Sequence, residues 1–432
     1  MFRIAAPLVV AEIGWMLMGI VDTMMTGRVS TTALAAVSIG SIAFYTFGVF
    51  GQGILLGLDT LVSQAWGARD PAGCRRSLSA GLWIAFFATP VLMGGVWLII
   101  PLLGGLGVDR AVLREAIPYI KALAWSTGPL LLYSAFRRYL QGTDRPQPVM
   151  FALLSANLVN AAVNWVLIFG NLGFPAMGAE GAGWATAVSR LYMAAALMIP
   201  VLLEQAPFFF APEWPRVREL LRLGLPAATQ IFLEVGVFAA ATALIGRLGA
   251  LALAGHQIAL NAASFTYMVP LGVSSAAAVR VGQAIGRGDP RGARRAGFLA
   301  LGLGAAVMSL GAIAFLVFPR AIARAFTVDP AVVQFAVGLL AIAAVFQLFD
   351  GLQVVATGAL RGAGDTRTPM LVNLGAYWFA GLPLGYWLAF YAGWGAHGLW
   401  TGLCVALVLM GVLLSLAWRS VMRQAGHDRV TG

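Results

Sequence analysis

Charged residues are scarce. Asp, Glu, Lys and Arg make up 10% of the 432-residue chain, against roughly 25% in a soluble domain. That shortfall excludes an ordinary water-soluble globule. Cysteine is nearly missing too, with Cys74 in a basic loop and Cys404 in a late apolar run. Neither a disulfide framework nor a cysteine-built metal site is expected from such a pair. The three histidines, His256, His397 and His427, are scattered, so no cluster for acid–base chemistry or metal binding is expected. HExxH, GxSxG and phosphate-loop motifs are lacking, and GRGDPRGARR at 286–295 reads as a basic turn. These absences exclude an ATP-driven pump and speak against an enzyme. No polar cleavage region follows the first apolar run, so the stretch after Arg3 reads as a first span rather than a signal peptide.

What the chain has instead is hydrophobic length. Hydrophobic residues are 60% of the total and mean hydropathy is +0.85. A helix needs about 20 apolar residues to cross a bilayer. Twelve runs qualify, near 5–26, 34–64, 77–104, 116–140, 148–170, 181–204, 220–245, 252–284, 294–318, 332–359, 369–391 and 396–418. The expected fold is an all-α polytopic membrane protein, its twelve transmembrane helices in two pseudo-symmetric six-helix bundles. The net charge of +11 could invite a nucleic-acid reading. Most arginines, however, sit in short loops between spans. Twenty of the 28 Lys and Arg residues fall on one side, seven on the other, and Arg190 lies inside a span. The positive-inside rule then places both termini in the cytoplasm; a nucleic-acid partner is not expected, and a bacterial-type inner membrane is the expected location.

The chain also repeats itself. At a shift of 219, Pro7 meets Pro226, Gln64 meets Gln283, Gly67 meets Gly286, Asp70-Pro71 meets Asp289-Pro290, and Arg75-Arg76 meets Arg294-Arg295. Later the shift drifts: Gly142 meets Gly362, Asp144 meets Asp365 and Pro148 meets Pro369. The expected organisation is a first lobe over 1–204, a cytoplasmic linker over 205–219 and a second lobe over 220–432. Six spans per half make the repeats parallel, an arrangement that places a cavity between halves.

An acid inside a span costs several kcal/mol unless it is paired, protonated or facing water, so its default reading is functional. Asp22, Glu234 and Asp350 are such acids, and Glu12 and Asp59 are further cases without an assigned role. The competing reading is a polar pair that ties two helices together. Gln230 lies one turn before Glu234 on the same helix face. Asp350 is flanked at three residues by Gln347 and Gln353, a polar stripe on an apolar helix. Asn160 and Asn164, one turn apart, and Thr186 are expected around Asp22. Tyr267, in the polar stretch NAASFTY, would set a ring beside Glu234, which suits an organic cation. Arg190 could pair with an acid or line the cavity. His256 is expected to be a hydrogen-bonded helix-end residue.

The stretches VDTMMTG (21–27), LDTLVSQAWGA (58–68), AGHQIALN (254–261) and ATGALRGAGDT (356–366) resemble the multidrug and toxic compound extrusion family, in its NorM-like branch. The likeness covers nearly the whole chain. It implies a secondary antiporter that exports cationic or amphipathic drugs in exchange for Na⁺ or H⁺, without a cofactor. It further implies coupling and substrate roles for Asp22, Glu234, Asp350, Asn160, Asn164, Thr186 and Tyr267, with Na⁺ at Glu234 and Asp350 as one option. Phe346 stands one turn before Asp350, where some members of the family place a tyrosine. A monomer in the bilayer with small-molecule substrates is expected. The alternative within transport is a lipid-linked saccharide flippase, which would want a strongly cationic cavity; only Arg190 is intramembrane here.

Overall fold

In a bilayer every backbone polar group must be satisfied within the protein, which leaves helices and closed barrels as spanning structures. This chain uses helices. The computed structural model describes residues 1–105, 109–204 and 212–427. The first half holds α1 (Phe2–Gly27), α2 (Thr31–Leu55), α3 (Gly57–Gly67), α4 (Pro71–Gly105), α5 (Arg110–Ala124), α6 (Thr127–Gly142), α7 (Gln147–Phe169) and α8 (Gly178–Glu204). The second holds α9 (Trp214–Gly246), α10 (Ala250–Gly286), α11 (Pro290–Val317), α12 (Pro319–Arg324) and α13 (Pro330–Gly362). It continues with α14 (Arg367–Asn373), a π-helical segment (Leu374–Gly381), α15 (Leu382–Phe390) and α16 (Ala396–His427).

Among the described residues, ten stretches are long and apolar enough to cross a membrane unaided, α2 and α3 counting as one. The other two expected spans, 116–140 and 369–391, are helices in pieces. The first breaks at Trp125–Ser126, between α5 and α6. There Ser126 Oγ donates to the Leu123 carbonyl at 2.6 Å and Thr127 Oγ1 to the Ala124 carbonyl at 2.7 Å. Hydroxyls thus take up carbonyls that the interrupted ladder frees. The second passes through the π-helical segment before α15, where Pro383 sits in the first turn and offers no N–H. With these two, the crossings are twelve.

The chain forms two compact units. One comprises Val10–Trp66 and Asp70–Ala228; the other comprises Met1–Val9, Gly67–Arg69 and Thr229–Gly432. The first has an apolar core around Leu58, Leu78, Tyr133, Leu153 and Leu220, and a second cluster around Phe44, Ile120 and Leu130. The other unit is built on Leu340, Tyr377, Trp400 and Met410, and on Ile4, Val279, Leu360 and Trp418. Of the linker expected over 205–219, residues 205–211 lie outside the described residues. Residues 214–219 are the first turns of α9.

The internal repeat is visible in the turns. Asp70 Oδ1 accepts from the Gly73 amide at 2.8 Å, and Asp289 Oδ1 accepts from the Gly292 amide at 2.8 Å. The preceding left-handed position is Arg69 (φ 58°) in one half and Gly288 (φ 68°) in the other. After α6 and α13 the matching left-handed residues are Asp144 (φ 67°) and Gly364 (φ 90°). The structural shift there is therefore 220. It corrects the sequence pairing of Asp144 with Asp365: the residue equivalent to Asp365 is Arg145. A side-chain match misled because glycine is the usual answer to a positive φ, and the first half uses aspartate instead.

Candidate functional site

In the first unit the site begins with how closely α7 and α8 approach. Gly170 ends α7 in the left-handed conformation. Gly181 lies so near α7 that a Cβ there would stand 2.7 Å from the Leu167 carbonyl. This contact brings α8, with Thr186 and Arg190 one turn apart, against Asn160 and Asn164 on α7. Asp22, near the end of α1, faces both helices. Its Oδ1 accepts from Asn164 Nδ2 at 2.6 Å and its Oδ2 from Thr186 Oγ1 at 3.0 Å. Asn164 Nδ2 also donates to Asn160 Oδ1 at 3.1 Å. Asp22 is 8% exposed and both asparagines are fully buried.

Asn160 Nδ2 and Asn164 Oδ1 have no hydrogen-bond partner among the described residues. A carboxylate beside an unpartnered amide oxygen is a set of hard oxygen ligands. It suits a proton or a small cation rather than a soft metal. Arg190 settles into the same unit. Its Nη1 donates to Ser126 Oγ at 2.6 Å, at the break between α5 and α6. Its guanidinium lies 4.6 Å from the Phe44 ring centroid and 5.9 Å from that of Trp15. From there its charge acts on Asp22 without a direct hydrogen bond.

The second unit holds the other acids. Gln353 Nε2 lies between them, 3.4 Å from Glu234 Oε1 on α9 and 3.3 Å from Asp350 Oδ1 on α13. The Tyr267 hydroxyl, on α10, hydrogen-bonds Glu234. Glu234 and Asp350 are close enough to feel each other's charge, and the Tyr377 hydroxyl lies within reach of both fields. The π-helical segment is fixed to α9 beside Glu234, because Trp378 Nε1 donates to the Leu233 carbonyl at 3.1 Å. Two like charges held by one shared amide are unfavourable in a low-dielectric interior, so the pair favours any arrangement that brings in positive charge.

Sequence reasoning placed these residues unevenly. Gln347 does not reach the acids; its Nε2 donates to Thr266 Oγ1 on α10. Gln353, the other flank of Asp350, is the bridge. Gln230 is buried one turn before Glu234. Phe346 packs against Phe238 and Trp400 in an aromatic cluster that also includes Tyr377. His256 is locked between Thr242 and Trp400, whose Nε1 donates to His256 Nδ1 at 3.0 Å. Tyr377 and Asn373 were not anticipated. Both are fully buried, and neither the Tyr377 hydroxyl nor the Asn373 amide has a partner among the described residues. A polar residue at the start of a broken helix was the available signal.

Glu12 and Asp59 belong to neither site. Glu12 forms an ion pair with Arg137, each less than a tenth exposed. Asp59 pairs with Arg138 at 3.2 Å. Among the described residues no group of three or more His, Cys, Asp and Glu side chains could hold a metal ion.

Comparison with known proteins adds the following. The MatE family matches over residues 7–166 and 226–387, one stretch in each half of the repeat. A protein of Mesorhizobium japonicum named "Probable multidrug resistance protein NorM" is 37% identical over 429 residues, covering 96% of this chain and 92% of its own. "Multidrug resistance protein PmpM" of Pseudomonas aeruginosa is 35% identical, covering 100% of this chain and 93% of its own. Among solved structures, the eukaryotic MATE transporter AtDTX14 superposes with a TM-score of 0.88 at 23% identity, over 99% of this chain and 97% of that one. An outward-facing multidrug resistance MATE family transporter of the MOP superfamily gives 0.89 at 17% identity, over 98% and 95%.

Proposed function

The chain belongs to the MatE family, and from that premise we propose that it is a secondary antiporter exporting cationic or amphipathic drugs in exchange for Na⁺ or H⁺. The observation that carries this reading is the Gln353 bridge, which holds two membrane carboxyls, Glu234 and Asp350, in one cluster. A carboxyl can be neutralised by a proton, by a small cation or by a cationic drug, but not by all of them together. Exchange follows when the two access states favour different occupants, and a ligand shifts the states only by its differential affinity. Tyr267, whose hydroxyl meets Glu234, offers a ring face to an organic cation. Asp22, with Asn160, Asn164 and Thr186, supplies a smaller all-oxygen site for the coupling ion. Gln230 supports the second site from its edge, and Gln347 only indirectly, through Thr266 on α10.

The protein acts as a monomer in the cytoplasmic membrane, with both termini in the cytoplasm, and needs no cofactor. It carries out no covalent chemistry. If net charge moves, the membrane potential contributes about 2.3 kcal/mol per charge per 100 mV. A saccharide-lipid flippase is disfavoured, because three acids rather than a set of arginines occupy the candidate sites.

Purified protein in proteoliposomes tests the proposal, with a pH gradient or a Na⁺ gradient imposed separately and a cationic dye as substrate. One gradient should drive efflux. Asp350→Asn and Glu234→Gln should each abolish it while the protein still elutes as wild type. Wild-type efflux from both variants would sink the assignment.

A further inference from the structure

The π-helical segment Leu374–Gly381 marks one residue inserted into the second half of the repeat. At the turn before it the halves align at a shift of 220. There the Arg145 amide donates to the Leu140 carbonyl at 2.8 Å, and the Asp365 amide to the Leu360 carbonyl at 2.9 Å. Beyond it they align at 221. The Met177 amide donates to the Leu167 carbonyl at 2.9 Å, and the Trp394 amide to the Leu388 carbonyl at 3.0 Å. One extra residue in an α-helix makes a π-helical turn, a feature frequent at functional sites. The new register is already in force at Trp378. Its Nε1 takes the Leu233 carbonyl at 3.1 Å, as Asn157 Nδ2 takes the equivalent Gly14 carbonyl at 3.0 Å. The insertion therefore falls between Asn373 and Trp378.

The inserted turn carries a polar pair into the interior. Asn373, at the place of Leu153 in the first half, and Tyr377, within the turn itself, are both 0% exposed. The Tyr377 ring packs on Phe238, one turn beyond Glu234, with centroids 5.8 Å apart, and Phe238 packs on Phe346, one turn before Asp350, at 6.2 Å. The ionisable groups that face the Tyr377 hydroxyl are Glu234 from α9, Tyr267 from α10 and Asp350 from α13. Asn373 lies about one turn nearer the arginine-rich side, where α14 begins, and its spacing of four residues sets it on the same helix face. Among the described residues the Tyr377 hydroxyl, Asn373 Nδ2 and Asn373 Oδ1 have no partner. Buried polar groups are satisfied by protein or by ordered water. These three atoms offer donors and acceptors together. A bare cation does not match that set, because the Asn373 NH₂ repels it; water does.

We propose that Tyr377 and Asn373 hold buried water, and that this water and the Tyr377 hydroxyl carry protons between the Glu234–Asp350 pair and the arginine-rich side of the membrane. The proton transfer rests on the antiport reading; the water site does not. A carboxyl O–H breaks as its proton bonds to a bound water, which passes a proton to the phenol oxygen. The phenol releases its own proton to the water at Asn373. The carboxyl is left as carboxylate, the phenol is unchanged, and the charge leaves as hydronium.

X-ray radiolysis of the full chain in detergent, read by mass spectrometry, tests the water site, because hydroxyl radicals arise from bound water as well as from solvent. Tyr119 is the comparator: it is 3% exposed, and its hydroxyl is already bonded to Ser41 at 2.8 Å. Tyr377 should be oxidised about threefold faster than Tyr119 or more. Asn373→Leu, which copies the first half, should bring that rate down to the rate at Tyr119. Oxidation of Tyr377 no faster than Tyr119 would overturn the water site. In proteoliposomes with a pH gradient, Tyr377→Phe should slow cationic-dye efflux roughly tenfold, with equilibrium dye binding as in wild type. Asn373→Leu should slow efflux as well and serves if Tyr377→Phe does not fold. Wild-type efflux from both variants, or a loss of dye binding equal to the loss of efflux, would overturn the relay. A wild type that shows no pH-driven efflux would overturn proton antiport and the relay together, and the labelling would still decide the water site.

Discussion

At the residue scale, the acids divide by what faces them. Glu12 and Asp59 are each met by an arginine of α6, so their burial is balanced. Asp22, Glu234 and Asp350 are met by amides and hydroxyls, which hold a carboxyl without cancelling a charge. Sequence position alone does not separate the two groups, because all of these acids sit on apolar helices. Their partners lie on other helices, 142 and 119 residues away for Asn164 and Gln353. The stripe around Asp350 was legible, but which glutamine bridges depends on the rotation of α13 against α9 and α10. Two outcomes follow. Gln353→Leu should lower dye efflux in proteoliposomes at least tenfold, and Gln347→Leu should lower it much less. Glu12→Gln should strand Arg137 in an apolar environment, costing about 3–5 kcal/mol. Thermal unfolding in detergent reads that loss, and Glu12→Gln/Arg137→Met should recover most of it.

At the element scale, the two halves solve the same packing problem differently. The first half links α6 to α3 through Arg138 and Asp59. At the equivalent places the second half has Gly358 and Ala278, and α13 lies directly on α10. A Cβ on Gly358 would collide with the Ser274 carbonyl, and one on Gly362 with the Ala278 carbonyl. Neither backbone can yield cheaply, so Gly358→Ala should cost about 1–3 kcal/mol. A lowered melting temperature in detergent, with Gly375→Ala unaffected as a control in open space, is the expected outcome. Helix identity was legible from hydrophobic length, whereas the breaks were not. The run 116–140 continues apolar through Trp125–Ser126, and only the hydroxyl-to-carbonyl bonds there mark the interruption.

At the scale of the whole molecule, the arginine excess on one side predicts an orientation that cell-level labelling can read. A fluorescent protein fused after Gly432 should fluoresce in the cytoplasm, and alkaline phosphatase fused there should be inactive. A single cysteine at Asp109, in a chain otherwise free of cysteine, should react with an impermeant thiol reagent in intact cells; no reaction would reverse the assignment. The repeat that sets this topology was readable from turn residues, because turns are fixed by local backbone demands that side chains report. What it did not reveal is where each compact unit takes its material. Met1–Val9 belongs with Thr229–Gly432, and the opening of α9 through Ala228 belongs with the first unit. The consequence falls on synthesis. A ribosome delivers the chain from its amino end, so the first unit stays incomplete until residue 228 has emerged. The first nine residues must wait for the second unit throughout. Release of a truncated chain near residue 204 would therefore yield a first unit lacking the opening of α9, with Met1–Val9 left without the unit it belongs to.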